Sequence, residues 1–497
     1  MDINNVRYLM VKKPFRRITP IGYSFPRLTI LDNDYTIGDD KMVYQVVSQS
    51  DFMREYYPSG HKINSPVLYP DIERKNPDGG TVYEMVDRCS FAFQRVISVK
   101  QLVHLCGNSI QFELASDETS QKIKDTFFKF RAGWAAKNME IAWYNSAKSA
   151  KITGDTAFVG FKSGKKFGWK VLSFLDGDTL FPHYNSITGE LEILARLYSD
   201  YDGEGNVLKD WLEVWDNKKL YRYKRNSGAN IIIKLIDKIF YVDGFQKVEE
   251  LVHGFPFLPV SYYRSEDGPC WSNSQNTIEN YEVSFSRMSQ NNAAYAFPIM
   301  YFKGDDVEIH GSVTRGTVTS ISMGKEDEAG FLNRQDVSTS FSTQLEKLYK
   351  LIFEQSFSVI PPELKSGDIP GVAVKLLYSP AYEQATVDAQ EYKSFVDGMV
   401  KIFKEGYGTE IGEVSQFNNM NVYSWIKPYI HQNWTETITN LATAVQNGFL
   451  SRQRANEVAD EYSTSYDWDR IMKEKKEEQQ MEIIAEVNKQ QQAIKTE

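Results

Sequence analysis

Two stretches decide how this chain reads: NSQNTIENYEVSFSRMSQNNAAYAF (Asn273–Phe297) and TSFSTQLEKLYKLIFEQSFSV (Thr339–Val359). In the first, Ile278, Tyr281, Phe285, Met288, Asn292 and Tyr295 mark one helical face. Pro298 closes it, because proline has no amide to offer a helix. In the second, Phe341, Leu345, Leu348 and Ile352 form a stripe, with Glu346–Lys350 and Lys350–Glu354 as i,i+4 pairs on the opposite side. At 1.5 Å per residue the two would reach ~37 Å and ~31 Å, matched well enough to lie side by side.

Between them, Ile299–Gln335 holds five glycines and alternates with period two. Around Thr317–Met323, the residues Thr319, Ile321 and Met323 fall on one face and Val318, Ser320 and Ser322 on the other. A β unit this small buries little surface alone and gains stability by pairing with copies of itself or with a partner. The pattern is a stalk with a small module at its far end. PPELKSGDIPG (Pro361–Gly371) follows, too rich in proline and glycine to be helical.

The rest of the chain is α+β. Residues 1–80 mix basic residues with prolines and read as an arm plus short elements, either reaching a partner or packed on their own domain. Helices are expected over Val82–Leu105 and Ser120–Lys148, the second with Ile123, Phe127, Phe130, Trp134, Ile141 and Tyr144 on one face and Gly154-Asp155 at its end. From Thr156 to Val260 the period becomes two. Ala157–Phe161, Trp169–Leu175, Leu191–Tyr198, Leu212–Trp215, Leu220–Lys224 and Ile231–Phe240 read as one antiparallel meander, followed by a loop over Val260–Cys270. Beyond the proline-rich loop come a helix from about Ala381 to Lys404, a strand over Val422–Lys427 and a helix over Thr435–Gln446 stopped by Gly448. Ser451 caps a further helix through Ala459, and the Lys-, Glu- and Gln-rich tail from Met472 reads as a solvated helix or an intersubunit contact.

The net charge of −9 argues against a general nucleic-acid coat, which needs positive charge to release counterions. It permits a protein past which DNA slides. Three cysteines without a CxxC pair suit a reducing interior, and neither a signal peptide nor a membrane span is expected. Asp200-Tyr-Asp-Gly-Glu-Gly-Asn206 begins like a calcium loop, but Trp211 stands where the bidentate Glu belongs, so a hairpin turn is expected. Gly160-Phe-Lys-Ser-Gly-Lys165 is too short for a phosphate loop and reads as a turn. The histidines (His61, His104, His183, His253, His310, His431) are scattered and read as ordinary surface or core residues. No catalytic set, cofactor site or metal site is expected.

The order of elements resembles the portal proteins of tailed bacteriophages, in their branch of short subunits. The closest local matches are Ser366-Gly-Asp-Ile-Pro-Gly-Val-Ala-Val-Lys-Leu-Leu-Tyr378 and Gly448-Phe-Leu-Ser-Arg-Gln-Arg-Ala455. The family order implies an arm (1–80), an α+β wing (81–265), a first stem helix (266–298), a β-rich clip (299–335), a second stem helix (336–360), a tunnel loop (361–371), a wing return (372–429) and a helical crown with a charged tail (430–497). The resemblance implies a dodecameric ring at one capsid vertex, assembled in the host cytoplasm, with double-stranded DNA passing through its channel. The implied partners are the terminase large subunit, a head-tail adaptor or neck protein, the major capsid protein and a scaffold, with no membrane. It places Lys365, Ser366, Gly367, Asp368 and Gly371 towards DNA, Ile278, Tyr281, Phe285, Met288, Phe341, Leu345, Leu348 and Ile352 in stem packing, and Val318, Thr319, Ile321 and Met323 in partner docking on the clip. Pro361-Pro362 and Asp368 depart from the family pattern in the loop. Two other readings stay open, another ring-forming virion structural protein and a DNA-processing α+β enzyme.

Overall fold

The computed structural model of the chain describes residues 10, 12–18, 35–37, 43–75, 80–115, 120–226, 245–296, 299–303, 308–310, 320–322, 328–332, 338–360, 375–430, 434–451, 455, 475–476 and 480. They fall into two units, one comprising Met1–Ile360 with Pro380–Pro428, the other Pro361–Ser379 with Tyr429–Glu497. The fold is α+β, with antiparallel sheets throughout.

The first unit begins with β1 (Phe15–Ile18), β2 (Tyr35–Ile37) and β3 (Val43–Val47), paired in the order β1-β3-β2. Among the described residues of the N-terminal segment, the Phe15 ring is set edge-on to Phe52 at 5.2 Å, within the same unit. Phe52 belongs to α1 (Gln49–Tyr56), which starts in a capping box. The Asp51 amide donates to Ser48 Oγ, and the Ser48 amide donates to the Asp51 carboxylate.

A hairpin of β4 (Ile72–Lys75) and β5 (Thr81–Glu84) precedes α2 (Phe93–Cys106). The helix expected from Val82 therefore begins only at Phe93, because Val82 is held in register opposite Arg74. After β6 (Gln111–Leu114), the helix expected as one piece over Ser120–Lys148 is two, α3 (Gln121–Ala136) and α4 (Met139–Thr153). Asn138 takes φ 55° between them, a left-handed conformation that Asn tolerates better than most residues. The Trp169 indole donates to the Lys137 carbonyl at 2.7 Å, occupying an acceptor at the break. The break turns Ile141 and Tyr144 outward, to 53% and 46% exposure, so they leave the expected apolar face. Gly154 ends α4 as expected. It takes φ 81°, and a side chain there would strike the Phe15 ring.

The expected single meander is two sheets. One orders β14 (Val260–Arg264), β7 (Asp155–Ser163) and β8 (Lys166–Leu172) as β14-β7-β8. Residues expected as a loop after Val260 thus form an edge strand against β7. The other is a five-stranded meander of β9 (Thr179–Tyr184), β10 (Leu191–Tyr201), β11 (Val207–Trp215), β12 (Lys219–Asn226) and β13 (Gln246–Val252). Strand β9 was not expected, since Pro182 interrupts its pattern. An edge position tolerates that missing amide. Leu180, Leu194 and Trp215 of the meander pack with Ala157, Val159, Leu172 and Val260 of the smaller sheet. The expected strand over Ile231–Phe240 lies outside the described residues. The calcium-like loop is a hairpin turn, its Asp202 carboxylate accepting from the Glu204 and Asn206 amides. Gly160–Lys165 likewise belongs to the β7–β8 hairpin.

Two helices follow, α5 (Gln275–Ala296) and α6 (Ser338–Gln355), with strands between them. β15 (Ile299–Lys303) pairs with β18 (Glu328–Leu332), and β16 (Glu308–His310) pairs with β17 (Ser320–Ser322) inside that pair. The chain returns as α7 (Ser379–Glu391) and α8 (Lys393–Ile411), two helices broken at Tyr392 where one was expected from Ala381. α9 (Val414–Asn419) and β19 (Val422–Trp425) complete the unit, β19 pairing with β6. α8 packs across β7, β8 and β14. Its Phe403 sits at the centre of the main core, with Phe130, Trp134 and Tyr407 rings between 5.2 and 5.3 Å away. In the second unit, α10 (Trp434–Gln446) ends near Gly448, which takes φ 75° as its place after a helix predicts.

Candidate functional site

The helical pair α5–α6 is an antiparallel hairpin. Ser274 Oγ donates to the Ile352 carbonyl at 2.8 Å, and Gln344 Nε2 donates to Ser284 Oγ at 3.2 Å further along. Their 22 and 18 residues span ~33 Å and ~27 Å. Ile278 and Ile352 are fully buried and Leu345 nearly so, while Tyr281, Phe285, Met288, Phe341 and Leu348 are half-buried. Asn292, read on the same face, is exposed. Phe353, absent from the stripe read from the sequence, is buried in the same cluster as Ile278 and Ile352. It lies in an aromatic cluster in which Phe93 meets Tyr281 at 5.2 Å and Phe353 at 6.0 Å, while Phe91 meets Phe285 at 5.0 Å.

The second helix stops at Gln355, not Val359. Phe357 turns left-handed at φ 51°, and the Ser358 amide reaches back to the Phe353 carbonyl. No glycine marks the stop, so the sequence gives no sign of it. The freed carbonyls are taken up by α2, where Gln101 Nε2 donates to Ser356 O at 2.8 Å and Lys100 Nζ to Val359 O at 2.6 Å. A cation at a helix C-terminus is also favoured by the helix dipole.

The base of the hairpin is joined to the body by buried charges. Glu55 accepts two bonds from Arg17, at 2.8 and 3.0 Å, and a third from the Trp271 indole at 2.9 Å. Glu282, on the packing side of α5, accepts from the Phe91 amide at 2.9 Å and lies 2.6 Å from His61 Nδ1. His61 Nε2 lies 2.7 Å from the Glu55 carbonyl. Both ring nitrogens face acceptors, which suits the doubly protonated imidazolium. Burial lowers the His61 pKa, but the hydrogen bond and charge of Glu282, with Glu55 adding, more than offset this and raise it. A folded pKa above the unfolded value means stability fully present below the ordinary histidine pKa of about 6.5 and lost as pH rises through the raised folded value. His61→Gln is therefore expected to lower the melting temperature most in mildly acidic buffer and least in alkaline buffer. A melting difference that does not vary with pH would show that His61 is neutral in the fold.

A third buried group joins α2, α4 and α7. Lys151 Nζ donates to Asp388 Oδ2 at 2.6 Å and to Gln101 Oε1 at 3.0 Å, and Gln384 Nε2 donates to the other Asp388 oxygen at 3.1 Å. These side chains line a polar cleft with Asp267, Gln355 and Glu391.

Of the other sequence-derived site residues, Lys365, Ser366, Gly367, Asp368 and Gly371 of the loop and Val318, Thr319 and Met323 of the β insert lie outside the described residues. Ile321 lies in β17, opposite Ile309. His61, Glu55, Glu282, Lys151 and Asp388 were not anticipated. Glu282 alone left a trace, a carboxylate one turn after Ile278 on the packing side.

A model of the family "Phage portal protein, SPP1 Gp6-like" matches residues 46–481. No curated protein matches the chain. The matched span runs from β3 through both helices of the hairpin to the C-terminal tail, and the chain belongs to the phage portal protein family.

Proposed function

We propose that the chain is the subunit of a ring, dodecameric as in the resemblance, that forms the DNA channel at one capsid vertex. The observation that carries this reading is the antiparallel hairpin with strand pairs at its tip, in a chain whose family match spans it. In this reading α5 and α6 are the stem, the strands between them the clip, residues 361–371 the tunnel loop, α10 part of the crown and the body the wing. The tip supports it physically, because two-stranded ladders are marginal alone and gain from strands of a neighbouring copy. The clip would dock the terminase large subunit and later a neck protein. The ring would contact the major capsid protein and, during assembly, scaffold.

Double-stranded DNA would pass without sequence readout, and an acidic chain limits the phosphate contacts that would slow it. Lys365 is the proposed phosphate contact in the loop. Lys365→Glu is expected to leave ring formation intact and to lower the DNA packaged or retained per particle. Undiminished packaging would remove the contact. The reading as a whole is tested by negative-stain imaging and mass photometry of the purified protein. Rings with a central hole are expected, and a monomer or dimer under all assembly conditions would overturn it.

A further inference from the structure

We infer that Lys151 is a positioning residue that holds, from inside the body, both ends of the chain where it leaves for residues 361–379 and where it returns. Lys151 is 7% exposed and Asp388 is 3% exposed, so this ion pair is largely buried at the wall of the polar cleft. Through Gln101, Lys151 is linked to the Ser356 carbonyl, in the turn that ends α6. Through Asp388, it is linked to α7, the first helix after the return. Gln101 acts in both directions, its amide nitrogen donating to Ser356 O and its amide oxygen accepting from Lys151. The turn on the departing side contains the left-handed Phe357, a conformation a phenylalanine adopts only where its surroundings impose it.

A buried charge pair adds little net stability compared with an apolar pair of the same volume. Its effect is to fix geometry, because each charge is held by fixed hydrogen-bond partners and tolerates few alternative positions. Here the geometry fixed is the separation of the two chain exits from one helix, α4. The functional consequence rests on the channel reading above, in which the intervening residues include the tunnel loop. The positioning itself does not depend on it.

The test is hydrogen–deuterium exchange on assembled full-length rings without DNA, paired with a packaging assay. Lys151→Met with Asp388→Leu removes both charges and retains apolar volume, so the fold is expected to survive. Amides of 355–360 and 379–391 are expected to exchange about tenfold faster or more, with the rest of the body unchanged. Packaged DNA per particle is expected to fall. Unchanged exchange at wild-type melting temperature would overturn the inference, and faster exchange with undiminished packaging would overturn its functional half. Gln101→Leu touches no charge and serves if the double variant fails to assemble. It is expected to speed exchange at 355–360 while 379–391 stays protected, and equal protection in both would overturn the relay. Failure of the channel reading would show separately, as absence of rings from the wild-type protein.

Discussion

Glu55→Ala is expected to be the most damaging single substitution at the hairpin base, costing about 3–5 kcal/mol. Glu55 is the shared acceptor of Arg17 and of the Trp271 indole. Arg17 is 8% exposed and Trp271 is fully buried, so neither donor can turn to water once the carboxylate is gone. The guanidinium keeps its charge at any accessible pH, and an uncompensated buried charge is among the costliest defects in a folded protein. The change should release β1, which carries Arg17, and loosen Trp271, which stands just before α5. Denaturant unfolding of the purified subunit measures the loss. Arg17→Met combined with Glu55→Met is expected to recover the part due to the stranded guanidinium, because an apolar pair needs no partner, while the unpaired Trp271 indole keeps its share of the cost. A Glu55→Ala protein as stable as wild type would mean that Arg17 and Trp271 are solvated in the native state.

Ile352→Ala is expected to cost about 2–5 kcal/mol. Ile352 is fully buried in the same cluster as Ile278, Phe353 and Trp271. The other members of this cluster include side chains of α5, α1, α2 and β1, elements fixed by other contacts, so the cavity has little freedom to collapse. The loss falls where the helical hairpin meets the body. The proposed ring should therefore form in lower yield, with imaging and thermal unfolding reporting the two effects. Ile352→Val keeps most of the volume and is expected to cost only about 0.5–1.5 kcal/mol. A similar cost for both substitutions would indicate that the site repacks. Because Ile278 and Ile352 share a cluster, their combined substitution should fall short of the sum of the single effects or exceed it.

The helical hairpin was legible because its determinants are local. Apolar residues at Ile278, Tyr281, Phe285 and Met288 and at Phe341, Leu345, Leu348 and Ile352 repeat at helical spacing, and Pro298 stops the first helix by its own chemistry. Gly154 and Gly448 were legible for a similar reason, since a left-handed turn favours glycine whatever surrounds it. Where such a turn falls on another residue, the sequence is silent. Asn138 divides α3 from α4 and Phe357 ends α6, each held by contacts from distant segments. The division of the strands into two sheets was equally hidden, because alternation reports that a face is buried but not against what.

The candidate site shows the same division. The sequence by itself determined that two helices carry an apolar stripe and a β insert, and that the order of elements resembles a portal subunit. The tertiary structure decided how that hairpin is anchored. His61 meets Glu282 across 221 positions of chain and Lys151 meets Asp388 across 237. An isolated histidine or lysine has no periodicity to betray its partner. Its charge is tolerated in the interior only because folding brings an opposite charge within hydrogen-bond distance, and that proximity exists only in three dimensions.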